Sequence, residues 1–88
     1  MKKILQVSEV ENEGLISLLE RPVMVYCLTY IYAGFLEGID NDCILLNDAK
    51  IVYETGSFQD PGYKDAQSLP GKKIYIMKSN IEAIGFGK

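Results

Sequence analysis

The rhythm of apolar and polar positions changes at Pro22. Before it, Leu15, Leu18 and Leu19 recur at helical spacing, and Ser8 and Glu11 stand at capping-box separation. In that arrangement a Ser oxygen and a Glu carboxylate satisfy free amides at a helix start. Pro22 cannot extend a helix, so the pattern predicts one short amphipathic helix over residues 8–20. After Pro22 the period becomes two. Val23, Val25 and Cys27 alternate with Met24 and Tyr26, and β-branched and aromatic residues dominate as far as Phe35. A turn is required within this run, yet Leu28-Thr29-Tyr30 contains no Gly, Asn or Pro.

The next stretch, Tyr32 to Ala49, carries the most architectural information. An alternating strand runs through Gly34, Leu36 and Gly38 into an acidic turn, Asp40-Asn41-Asp42. An apolar strand leaves it as Cys43, Ile44, Leu45 and Leu46 and continues to Tyr53, with Asn47-Asp48 predicted as a bulge or bend. Glycine inside a strand permits a sharp bend or a close backbone approach, the geometry of small curved barrels. Residues 56–71 form a long loop with turn signals at Asp60-Pro61-Gly62 and Pro70-Gly71, and room for a helical turn over Tyr63–Leu69. A strand over 72–78 follows, with Ile74 and Ile76 on one face and Tyr75 and Met77 on the other. Ser79-Asn80 makes a tight corner, and residues 81–86 form the last strand. The sum is a mainly β single domain over residues 1–88. It reads as a helix over 8–20 and a small, strongly bent, SH3-like barrel of about five strands over 23–87.

Bulk composition narrows the function. The chain is 48% hydrophobic and 24% charged, which suits a packed globular domain rather than a disordered one. Histidine is absent, which removes the commonest general base and the commonest metal ligand together. No nucleophile–base pair, Gly-rich phosphate loop or zinc-ligand set can be assembled, so the expectation is a non-enzyme without cofactor or metal. Two cysteines, Cys27 and Cys43, lie in apolar strand-like runs and are expected to be buried free thiols in a reducing cytoplasm. Gln6, Ser8 and Glu9 interrupt the apolar start before a signal sequence develops, and no apolar run is long enough to span a membrane. A net charge of −3 argues against general nucleic-acid affinity but leaves room for a local basic site.

Two motifs in order resemble the Sm/LSm family, including its bacterial Hfq branch, over roughly Leu15 to Gly87. Gly34, Leu36 and Asp40, followed by the apolar run from Cys43, match the spacing of the family's first motif. The interval from Asp40 to Leu46 is closer to the Hfq form, and an undecorated, histidine-free chain of this length suits a bacterial or phage source. Met77-Lys78-Ser79-Asn80-Ile81 matches the second: a basic residue, a short corner, and a β-branched residue entering the last strand. The resemblance implies a homo-oligomeric ring joined through edge strands 72–78 and 81–86. It also implies binding of single-stranded RNA at the pore by Asp40, Asn41, Lys78, Ser79 and Asn80. Three family features differ: Cys43 or Ile44 stands where eukaryotic-type members hold uracil with an Asn, Asp42 stands where Hfq places a base-stacking aromatic, and Lys78-Ser79 stands where Hfq has Lys-His. Asp40 reads more naturally as a turn-holding carboxylate than as a ligand group. The six tyrosines suit half-exposed strand faces, some of them at subunit contacts. The alternative function is a structural or protein-binding barrel with no nucleic-acid role.

Overall fold

The computed structural model describes residues 14–88. Six antiparallel strands form one bent sheet: β1 (Pro22–Cys27), β2 (Ile31–Ile39), β3 (Cys43–Glu54), β4 (Asp65–Ser68), β5 (Ile74–Met77) and β6 (Ile81–Phe86). Their order is β4-β3-β2-β1-β6, with β5 also paired to β3. The long β3 therefore serves two partners on one side. Its first half pairs with β5 and its second half with β4.

The predicted helix is corrected. Residues 8–13 of it lie outside the described residues, and the remainder contains only a four-residue 3-10 turn, Leu15–Leu18. Gly14, at φ 80 and ψ −179, leads into this turn, and Leu19, at ψ 139, is already extended. Among the described residues, no side chain caps its first amides. The leucine spacing instead serves packing: Leu18 is buried, and Leu15 and Leu19 lie against the same core.

The strand count is six rather than five because Asp65–Ser68, inside the expected loop and helical turn, pairs with Lys50–Glu54. The residues that separate β4 from β5 form a turn. Pro70 and Gly71 occupy its centre, Gly71 has φ 72, and the Lys72 amide donates to the Leu69 carbonyl at 3.1 Å. Ala49 of β3 bridges the break, accepting from the Leu69 amide and donating to the Lys72 carbonyl. Leu28-Thr29-Tyr30 does form the β1–β2 turn, closed by the Cys27 amide donating to the Tyr30 carbonyl.

Two bulges bend the β2–β3 hairpin and shift its pleat. Register advances two residues on β2, from Ala33 to Phe35, while β3 moves three, from Lys50 to Asn47. The extra residue includes Asp48 at φ 52, a conformation that Asp tolerates better than most side chains. Burial records the shift: Ile44 and Leu46 enter the main core, and after the bulge Ala49 does so. A second bulge near Glu37, between Leu36 and Gly38, lets both Leu36 and Ile39 face that core. The main cluster also holds Leu18, Val23, Val25 and Ile76, while Met24, Ala33 and Val52 form a second cluster across the sheet. β1 is thus covered on both faces, which explains three consecutive buried residues, Val23, Met24 and Val25. Cys27 and Cys43 are free thiols but half-buried rather than buried, because each sits at a strand end.

Candidate nucleic-acid interface

Two turns meet at one end of the sheet. The first, Asp40–Asp42, joins β2 to β3, and the second is the 3-10 turn Lys78–Asn80 between β5 and β6. They are stitched together by the Lys78 amide, which donates to the Asp42 carbonyl at 2.8 Å. That bond continues the β3–β5 ladder by one residue pair, so the strand register itself sets the position of Lys78.

Asp40 organises its own turn. One carboxylate oxygen accepts from the Asp42 amide at 2.8 Å and from the Cys43 amide at 2.7 Å; the other faces the Cys43 thiol at 3.6 Å. The Cys43 amide first, and then that of Asp42, hold the carboxyl below its usual range, and Lys78 adds to the effect. Burial and the neighbouring Asp40 carboxylate push the Cys43 thiol up, away from thiolate reactivity. The turn-holding role expected of Asp40 is present in this geometry.

A carboxyl with a folded pKa below its ordinary value of 3.8 contributes stability above that value, which is lost as pH falls through the folded pKa. Asp40→Asn keeps an acceptor but not the charge. Thermal melts are expected to show wild type more stable than Asp40→Asn at neutral pH, with the gap closing below pH 3.8. A gap that stays constant into acid would show that the charge is not what holds the turn.

Asp40, Asn41 and Lys78 line a single open groove, whose wall includes Ile39, Ile84 and Phe86. Among the described residues the ion pairs are Lys64–Glu54 and Lys73–Glu37, so no carboxylate of that set lies within pairing distance of the Lys78 ammonium. Ser79 is exposed and does not line the groove, and Asn80 lines a different one, beside Leu28 and Tyr75. Three of the predicted residues therefore converge, and two diverge around the 3-10 turn. Sequence reasoning missed Phe86, which is 67% exposed on the groove wall. Its only sequence signal was an aromatic residue at the end of the last strand.

The same end of the fold borders two open strand edges. In β5, the backbone groups of Ile74 and Ile76 face β3, as that of Lys78 does, so alternation turns those of Tyr75 and Met77 outward. In β6, the Gly87 amide donates to the Pro22 carbonyl, which sets Gly85 toward β1 and turns Phe86 and Ile84 outward. Among the described residues, no strand pairs with either outer edge.

No protein-family model matches the chain, and no curated protein matches it. Among solved structures it is similar to an Sm protein of Pyrococcus abyssii, determined in complex with a uridine heptamer. The two are 25% identical with a TM-score of 0.55, and the match covers 78% of this chain and 86% of that one. The chain has an Sm-like fold. Among the described residues, no helix is long and apolar enough to cross a membrane.

Proposed function

We propose that this chain is a cytoplasmic, non-enzymatic Sm-like subunit that assembles into a homo-oligomeric ring and binds single-stranded RNA at the pore. The observation that carries this reading is the convergence of Lys78, Asp40 and Asn41 on one groove, beside two open strand edges. In the proposed ring, β5 of one copy extends β6 of the next, and the head-to-tail contact closes by rotation. Each copy then presents one Lys78 to the pore. Lys78 meets phosphate, Asn41 offers hydrogen bonds to base or sugar, and Asp40 fixes the turn that carries Asn41, while Ser79 and Asn80 stand outside this groove. The likeness to an Sm protein solved with a uridine heptamer supports RNA as the ligand.

The test is binding of labelled oligo-U and oligo-A at low and moderate salt, with light scattering for mass. Wild type is expected to bind as an oligomer, and more weakly as salt rises, because phosphate neutralisation releases counterions. Lys78→Ala is expected to weaken binding at least about tenfold, since the loss repeats in every subunit. Absence of binding at low salt, or binding indifferent to Lys78→Ala, would sink the pore site and favour the protein-binding alternative. A monomer would sink the ring.

A further inference from the structure

The most completely satisfied charged group among the described residues is not part of the two-turn groove. The Lys88 ammonium donates to three backbone carbonyls: Thr55 and Ser57, each at 2.6 Å, and Gly62 at 2.8 Å. An ammonium has three N–H donors, so its hydrogen-bonding capacity is filled. Two aromatic rings flank it, with the ammonium 5.6 Å from the Phe58 centroid and 5.2 Å from that of Tyr63. No carboxylate takes part: the ion pairs among the described residues involve other lysines. Among the described residues, the charge is met by carbonyl dipoles and ring faces alone.

The main chain is shaped to deliver this side chain. The Lys88 amide donates to the Tyr63 hydroxyl at 3.1 Å, and the Gly87 amide donates to the Pro22 carbonyl at 2.9 Å. A Cβ on Gly87 would stand 2.8 Å from the Val23 carbonyl carbon and 2.9 Å from the Tyr63 hydroxyl, so only glycine fits this slot. Apart from Lys88, the loop's ties are short-range: the Thr55 hydroxyl donates to the Gly56 carbonyl at 3.0 Å and the Gln59 amide to the Ser57 hydroxyl at 3.2 Å. Across the loop, the Lys64 amide reaches the Thr55 carbonyl at 3.3 Å, and within it the Asp60 amide donates to the Ser57 carbonyl. Three carbonyls aimed at one point repel each other unless a cation sits between them.

We propose that the Thr55–Tyr63 loop is a receptor for a primary alkylammonium, filled here by Lys88, and that its order depends on that filling. Selectivity follows from the chemistry. A primary ammonium offers three divergent N–H groups to three carbonyls, a planar guanidinium cannot match them, and a quaternary ammonium has no N–H at all. Filling also anchors the end of β6, because Lys88 lies two residues beyond Phe86.

Lys88→Met in the full chain, which keeps the apolar stem and removes only the ammonium, provides the test. Hydrogen exchange of the 55–64 peptide is expected to accelerate several-fold, while β1–β3 peptides hold their wild-type rates. In Lys88→Ala, which removes Cγ to Nζ and so leaves room for a propyl chain, millimolar n-propylammonium is expected to restore protection, and tetramethylammonium at equal concentration to leave it lost. Loop exchange unchanged in Lys88→Met, or equal rescue by both amines, would overturn the proposal. A second measurement needs no variant: nitrogen-15 NMR of wild type should show one lysine ammonium whose protons exchange slowly with water, assigned to Lys88. A rapidly exchanging Lys88 ammonium would overturn the proposal equally.

Discussion

Gly34→Val is expected to lower the melting temperature by roughly 8–16 °C, a loss of about 2 kcal/mol in a domain of this size. The reason lies in how β2 crosses β3 at the Asp48 bulge. A Cβ on Gly34 would stand 3.0 Å from the Asn47 carbonyl oxygen, 3.2 Å from the Ala49 Cα and 3.3 Å from the Leu46 Cβ. The first two are backbone atoms of the bulged strand, and Leu46 is fully buried, so none can swing aside. Valine adds two methyl groups to that contact. Relief requires the hairpin to open at its bend, which withdraws Leu36, Leu46 and Ala49 from one another in the main core. Gly38 provides the control on the same strand. Its added Cβ would meet only the Leu45 Cβ, at 3.8 Å, an ordinary contact. Gly38→Ala is therefore expected to stay within about 0.5 kcal/mol of wild type. Thermal melts of both variants check the pair; equal losses would remove Gly34 as the point of closest approach.

That contrast also shows what was legible in the residues alone. Two glycines in an alternating strand announce a bend, and Asn47-Asp48 announces a bulge opposite, but only the register reveals that the bulge presses on Gly34 and not on Gly38. The leucines at 15, 18 and 19 mislead for a related reason. Three apolar residues over one turn satisfy helical spacing whether the chain continues as a helix or packs a single 3-10 turn on a core. β4 was illegible because Asp65–Ser68 has no large apolar residue and is exposed along its whole length. It is a strand only because β3 offers it an edge. The two-turn groove was half legible. Asp40 and Lys78 announce themselves by turn chemistry and spacing, whereas the divergence of Ser79 and Asn80 depends on the 3-10 path between β5 and β6. The lysine cage was invisible, since its ligands are backbone carbonyls that any sequence possesses.

Tyr75→Pro is expected to dissolve the proposed ring and reduce RNA affinity by about two orders of magnitude or more. Tyr75 lies on β5 with its side chain 64% exposed and its backbone groups on the outer edge, away from β3. Proline at such a position removes an outward N–H and leaves the inward bonds of Ile74 and Ile76 in place, which is why edge strands tolerate it. The subunit should therefore keep its fold. The assembly should not, because a head-to-tail ring uses the same contact at every interface, and one substitution strikes all of them. RNA binding fails as a consequence: a net charge of −3 gives an isolated subunit no general attraction to phosphate, and a lone Lys78 lacks its repeated neighbours. Light scattering should report the 9.9 kDa of a single chain, with circular dichroism and melting close to wild type. Tyr75→Ala separates amide from ring, since it retains the N–H and should retain the oligomer. An unchanged oligomeric mass for Tyr75→Pro would show that any assembly uses another surface. A monomer that still binds oligo-U with wild-type affinity would show that the repeated Lys78 is not what holds the RNA.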